Sequence, residues 1–474
     1  MYRSKEYYLN LFQVSERQLE RLAASGIDGG GSYSDLFFEN TVYNDLLLRD
    51  GIVSSGGFHV DYGVGIRVLD GEKTGYAYSE STDAASMAEA AVAASKIALA
   101  GKGIVPEIAS HSPIFPEDRY PMANDWSTAQ ASEFAPFLER LQQKIAAKDP
   151  RVIKVIVSLS SQTSDILMFN SLGELTYETR PLASLSASVV FSSGGKIENR
   201  STSKSFRMGT EMLTEELLED LAQKAVKGID ERFAAKRPKG GQMPVVMGAG
   251  ASGILLHEAM GHAFEADFNR KGQSIFSEKM GKKICNEKIS ILDDGTLFQS
   301  RGAVNFDDEG VAGQKTYMVK DGVLSSYLHD RISASYYGVS PTGNGRRESF
   351  RYAPIPRMRA TYMDSGNADK DGIIASVKKG IYVDDFSNGQ VQIGEGDFTF
   401  FVKSGFLIEN GHLTQPIKDI NIIGNGPQAL ADIIAVGNDL HVDEGSWTCG
   451  KGQSGPVACG IPTVLIKNLT VGGE

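Results

Sequence analysis

From about residue 280 onward the chain is dominated by short segments that alternate apolar and polar residues between glycine turns. Examples are "KISILDDGTLF", "KTYMVKDGVLSSYLHD", "RMRATYMDSG" and "GIYVDDFSNGQVQIGEGDFTFFVKSGFLIENGHL". Repeatedly such a segment meets Asp-Gly or Asn-Gly, the pairs that supply a two-residue hairpin turn with both residues at positive φ. A period of two puts one face of each strand in a core and the other in solvent. This pattern predicts a large antiparallel sheet or barrel with one central helix.

The first half mixes both kinds of element. "KEYYLNLFQVSERQLERLAASG" predicts a helix that stops at Gly26. "FENTVYNDLLLRDG", "VDYGVGIRVLDGEKTGYAYSE", "VIKVIVSLSSQ" and "LASLSASVVFSS" predict strands. "TDAASMAEAAVAASKIALA" predicts a helix with Thr82 and Asp83 as cap candidates, and "STAQASEFAPFLERLQQKIAAKD" another. In "TEELLEDLAQKAVKGIDERFAA", Leu217, Leu218, Leu221, Ala222, Ala225, Val226 and Ile229 form one helical stripe. The polar, glycine-rich "KRPKGGQ", Lys236 to Gln242, marks a boundary. The expectation is an α+β protein: a mixed α/β N-terminal domain over residues 1–238 and a β-rich C-terminal domain over 239–474 that carries the histidine helix.

A chain of 474 residues can bury substantial cores. Its net charge of −11 and lack of a basic run disfavour nucleic acid as a partner. No apolar stretch is long enough for a membrane span, and "MYRSKEYYLNLF" lacks a signal-peptide core. Three cysteines make no disulfide framework. Together these predict a cytoplasmic protein.

The candidate chemistry sits in "LLHEAMGHAFEAD", Leu255 to Asp267, where Ser252 is the expected helix cap. His257 and His262 are at i and i+5, one residue wider than the i, i+4 pair of common zinc peptidases. On a regular helix that places them roughly 140° apart, too far to share an ion. A single π-type turn would bring them together, and Gly261 lies where backbone adjustment is least costly. Glu258 follows His257 and suits a general base beside a metal rather than a ligand. A third ligand could come from Glu265, Asp267, His441 or a cysteine. Cys449, in "GSWTCGKGQSGPVACG", is expected in a polar loop; Cys285 and Cys459 read as small buried hydrophobes.

"HEAMGHAFEADFNRKG", "DDEGVAGQ", "PTGNGRRES", "VGNDL", "CGKGQSGPV" and "NLTVGG" resemble the TldD/PmbA family of metallopeptidases, on its TldD side. The likeness is dense from Pro244 to the C-terminus and looser but collinear before it. It implies a zinc peptidase, with Zn²⁺ on His257, His262 and Cys449 and with Glu258 as the base. It also implies a mixed domain followed by a β-rich one. Further, it implies pairing with a related subunit that lacks the metal motif, and an enclosed site that admits flexible or unfolded polypeptide. Self-pairing is the second expectation for assembly. A zinc hydrolase of small amides and a non-catalytic subunit that holds unfolded chains are the rival readings; retention of Glu258 argues against the latter.

Two other stretches stand out. "PTGNGRRES" places Arg346 and Arg347 in a glycine-rich turn, either solvated or recognising substrate backbone or carboxylate. Asp307, Asp308 and Glu309 are expected to form an exposed acidic turn rather than a second metal site.

Overall fold

The computed structural model describes residues 1–97, 108–392 and 394–473. Its first half is built on one antiparallel sheet of six strands: β1 (Tyr33–Arg49), β2 (Ile52–Asp70), β3 (Lys73–Ser79), β4 (Val152–Asn170), β5 (Leu175–Ser193) and β6 (Lys196–Phe206). The spatial order is β3-β2-β1-β4-β5-β6. These strands outrun the segments read from sequence, because each long strand serves two cores. Leu36 and Phe38 of β1, with Leu167 and Phe169 of β4, pack under helices Lys5–Leu11, Glu16–Ile27 and Ala84–Ser95. Leu46 and Leu48, with Val155, Val157 and Leu159, pack under helices Ala131–Lys148 and Glu215–Val226. The parity is unchanged along each strand, so both helical layers cover the same face of the sheet. The opposite face carries Phe37, Ile166 and Met168 against Phe306 and Phe350 of the second half.

Two expected helices are each divided. The first breaks between Leu11 and Glu16, where Gln13 takes φ 54° and Ser15 begins a new helix with a capping box to Gln18. The stripe from Leu217 to Ile229 breaks at Gly228, whose φ of 74° ends one helix and starts Ile229–Ala234. Asp83 caps helix Ala84–Ser95, while the expected continuation through Ala98–Ala100 lies outside the described residues.

The second half holds a closed barrel and a separate sheet. Strands 241–247, 379–391, 397–409, 420–425 and 464–471 pair in a ring, closed by the pairing of 379–391 with 397–409. A six-stranded sheet runs from 323–324 through 315–320, 291–294, 360–363 and 458–461 to 441–442. The pairing is mostly antiparallel, as expected, with two parallel pairs: 379–391 with 241–247, and 360–363 with 458–461. Asp321-Gly322 and Asn410-Gly411 form two-residue hairpin loops with φ positive at both residues. Asn388-Gly389 does not turn; it lies within a strand, and a Cβ at Gly389 would fall 2.2 Å from the ring of Phe400.

Candidate metal centre

Helical residues 254–264 pack Leu255, Leu256, Ala259, Met260, Ala263 and Phe264 into the core shared with the barrel strands. The stretch begins as one α-turn, Ile254–Leu256, widens to a π-turn over His257–Gly261 and tightens to a 3₁₀ turn over His262–Phe264. Ser252 does not cap it; no side-chain cap bond is made there, and its hydroxyl is buried without a partner. The π-turn solves the spacing problem: the two imidazoles lie with ring centroids 5.2 Å apart. Gly261 is not needed for unusual backbone, since its φ is −57°. It is needed for space, because a Cβ there would stand 2.1 Å from Met358 Sδ.

Cys449 comes from a tight hairpin in which 448–450 pairs with 454–456, rather than from a polar loop, and it is 3% exposed. Its Sγ lies 3.2 Å from His262 Nε2. One ligand atom from each of His257, His262 and Cys449 falls within 4.8 Å of the others. Ligand atoms around a tetrahedral zinc are roughly 3.5 Å apart, and two imidazoles with a thiolate are a zinc-type donor set. Both ring nitrogens of His257 are buried with no hydrogen-bond partner. A buried imidazole left this way is unfavourable unless something fills its lone pair. The residues therefore fit the metal.

Glu265 is not a third ligand. Its Oε2 lies 3.0 Å from His262 Nδ1, on the side of the ring away from Cys449. Lys451 Nζ is 3.0 Å from the same oxygen. Burial works against the Glu265 carboxylate, but Lys451 and His262 overcome it and hold it down at about 2. In turn burial lowers His262, while Glu265 and Cys449 raise it to about 10. An ionised Glu265 accepts a hydrogen bond from His262 Nδ1–H, which leaves Nε2 directed at the shared centre. Burial would raise the Cys449 thiol, yet the two imidazoles outweigh it and bring the group to about 5.

Glu258 is half-buried on the π-turn and makes no hydrogen bond or ion pair among the described residues. Asp267 receives Lys451 Nζ at 2.7 Å. His441 is exposed on 441–442, beside Gly250, and is not in the cluster. Cys285 and Cys459 are buried and unpaired with other cysteines, and neither belongs to the three-residue group.

Residues unmarked by sequence spacing hold the hairpin in place. Arg357 donates to Cys449 O at 2.8 Å and to Gln453 O at 2.6 Å. Arg301 donates to Trp447 O at 2.7 Å and Thr448 Oγ1 at 3.1 Å. The only sequence signal for this scaffold was the lysine inside "CGKGQ".

The arginine turn is not solvated. Arg346 and Arg347 are both buried. Arg347 donates to Asp308 O at 2.8 Å and reaches Asp35 at 3.4 Å, so its guanidinium is engaged by the chain itself rather than open to substrate. The acidic turn is likewise not exposed. Asp307, Asp308 and Glu309 are buried: Asp307 accepts from Gly345 N, Asp308 pairs with Arg180, and Glu309 pairs with Arg67.

An α+β fold that brings two histidines of a widened helical turn to a cysteine of a hairpin defines a candidate metal-binding class of protein. The PmbA/TldA metallopeptidase profiles match in order: domain 1 over residues 34–98, the central domain over 124–230 and the C-terminal domain over 240–473. The chain belongs to the PmbA/TldD family. It is 39% identical over 477 residues to the metalloprotease TldD homolog of Haemophilus influenzae, covering 99% of this chain and 96% of that one. The zinc metalloprotease TldD homolog of Saccharolobus solfataricus is 33% identical over 249 residues, covering 52% of this chain and 55% of that one. The crystal structure of TldE from Thermococcus kodakarensis superposes with TM-score 0.75 at 19% identity, covering 96% of this chain and 100% of that one; this likeness bears on fold alone. No described helix is long and apolar enough to cross a membrane.

Proposed function

We propose that this chain is a zinc-dependent peptidase that hydrolyses flexible or unfolded polypeptide. The observation that carries this reading is the convergence of His257, His262 and Cys449, with unpartnered His257 nitrogens, next in sequence to Glu258, whose carboxylate makes no hydrogen bond or ion pair among the described residues. His257, His262 and Cys449 would hold the zinc, which when bound would supply Lewis-acid polarisation of the scissile carbonyl and ease deprotonation of the attacking water. Glu258 takes that water's proton on its carboxylate and hands it to the leaving nitrogen. Glu265 fixes the His262 ring, and Arg357 fixes the cysteine hairpin.

The substrate adds as an extended strand to an edge of the C-terminal sheet. The sheet edge at His441–Val442 supports this, since His441 opens on a groove of about 530 Å³ that also touches Ala251 and Trp447. None of the three cluster residues lines that groove. A folded protein has no free run of backbone to offer such an edge. For assembly we propose a metal-free related subunit first and self-association second. The β1–β2 hairpin supports a partner surface: Ile52 and Phe58 are 73% and 66% exposed on its outer end. The sparse, unbridged cysteines suit a reducing cytoplasm.

The test joins metal analysis to turnover. Purified protein should hold one zinc per chain and cleave an unfolded polypeptide much faster than its folded counterpart. Glu258→Gln should keep zinc and fold while kcat falls about 10²–10⁴-fold. Absence of zinc, or near-normal kcat in that variant, would sink the reading.

A further inference from the structure

Five arginines are buried around the hairpin that delivers Cys449: Arg207, Arg301, Arg346, Arg357 and Arg359. Buried guanidinium groups elsewhere in the chain sit on carboxylates. Arg67 lies on Asp35 and Glu309, and Arg180 on Glu178 and Asp308. Arg301 has no carboxylate but is matched by Trp447 O and the hydroxyls of Ser184, Ser205 and Thr448.

Arg346 has neither kind of match. Arg207 and Arg359 also lack a carboxylate, with one 3.3 Å bond each to Pro181 O and Gly345 O, but Arg346 is the one packed against the hairpin itself. It is 5% exposed and makes no ion pair among the described residues. Its one side-chain hydrogen bond is a long one, from Nη1 to Met358 O at 3.4 Å. A guanidinium carries five N–H donors, and most of those on Arg346 have no acceptor among the described residues. Burial and the neighbouring Arg359 and Arg357 weaken its hold on its proton, with Asp308 only partly offsetting them. A buried, unpaired cation is strongly unfavourable and calls for an anion.

The position of the group says which anion. Gly455 is the cross-strand partner of Cys449 in the hairpin. Directly paired residues of an antiparallel ladder project to the same face, with Cβ positions about 5 Å apart. A Cβ at Gly455 would fall 2.6 Å from Arg346 Cζ. The guanidinium thus fills the side-chain place of residue 455, on the face from which the Cys449 thiol reaches His262.

We propose that Arg346 binds a carboxylate of the peptide substrate next to the metal centre. This rests on the peptidase reading above. The planar fork of Arg346 suits a carboxylate. That carboxylate is either the α-carboxylate of a chain end or the side chain of an Asp or Glu beside the scissile bond.

The test compares four matched synthetic peptides on the zinc-loaded, full-length protein: free-acid against amidated C-termini, and Glu against Gln beside the cleaved bond. The recognised carboxylate should lower KM about 10–100-fold relative to its neutral counterpart, with a smaller change in kcat. The free-acid pair identifies the chain end as the source, and the Glu/Gln pair identifies the side chain. Arg346→Gln should bring the preference close to one, and Arg346→Lys should restore part of it. Equal KM across both pairs in the unmutated protein would overturn the proposal, as would a full preference retained by Arg346→Gln. Fluorescence anisotropy of the same labelled peptides on the Glu258→Gln protein reads Kd without turnover. If nothing is cleaved, the peptidase reading fails; the Kd ratio still decides for or against Arg346.

Discussion

The three-residue centre at His257, His262 and Cys449 and the acidic turn at Asp307–Glu309 are both buried clusters of groups that bind metals elsewhere in proteins. They differ in who answers them. In the acidic turn the chain answers its own charges: Arg180 meets Asp308, Arg67 meets Glu309, and backbone N–H groups meet Asp307. At the histidine centre the outer ring is answered, Glu265 to His262 and Arg357 to the hairpin, while the inner His257 nitrogens are not. Burial alone therefore does not mark a site. Burial with internal partners marks framework, and burial that stops one partner short marks a place for a ligand.

Substitutions should separate these two kinds of cluster. The largest effect is expected at the centre itself. His262→Ala or Cys449→Ser should lose the zinc and essentially all turnover with the fold retained, whereas Cys285→Ser keeps both; zinc content by mass spectrometry and circular dichroism check this. A Cys449→Ser protein with full zinc would dissolve the distinction drawn here.

Next is the framework turn. Asp308→Ala strips the largely buried Arg180 of one of its two carboxylates, Glu178 remaining, and should lower stability by about 1.5–3 kcal/mol. Denaturant unfolding measures that loss, and the zinc content of the folded fraction should not change. Loss of metal without loss of stability would reverse the roles of the two clusters.

The smallest effect belongs to the outer ring. Glu265→Gln keeps a hydrogen-bond acceptor for His262 Nδ1 but removes the charge. Zinc affinity should weaken about 10–100-fold, as competition with a chelator can measure. An unchanged affinity would mean that ring orientation comes from packing instead.

Much of the centre was legible in the sequence because its chemistry is local. The i, i+5 spacing of His257 and His262 demands a widened turn, and the structure has one. Asp321-Gly322 and Asn410-Gly411 carry their hairpin geometry in two residues. What was not legible depends on distant partners. Asp308 looks like a solvated acid until Arg180 arrives from 128 positions away. Gly261 looks like a backbone hinge until Met358 is packed against it. Arg346 and Arg347 are adjacent in the chain, yet one is tied to Asp35 and the other to no acid. The barrel ring also needs 241–247 beside 379–391 and 464–471, strands far apart in sequence, which no local period encodes.

The thiol that completes the centre lies 187 residues beyond His262. During synthesis the histidine helix leaves the ribosome well before the cysteine hairpin, so a nascent chain cannot assemble the full donor set. Closing so long a loop is entropically costly, and that cost must be met by the barrel and sheet in between. Tight retention of the ion thus becomes a late event, available only to a chain whose second half has already assembled. On the proposed reading, a peptidase built this way would gain its cutting power last, when its own unfolded segments are no longer there to be cut.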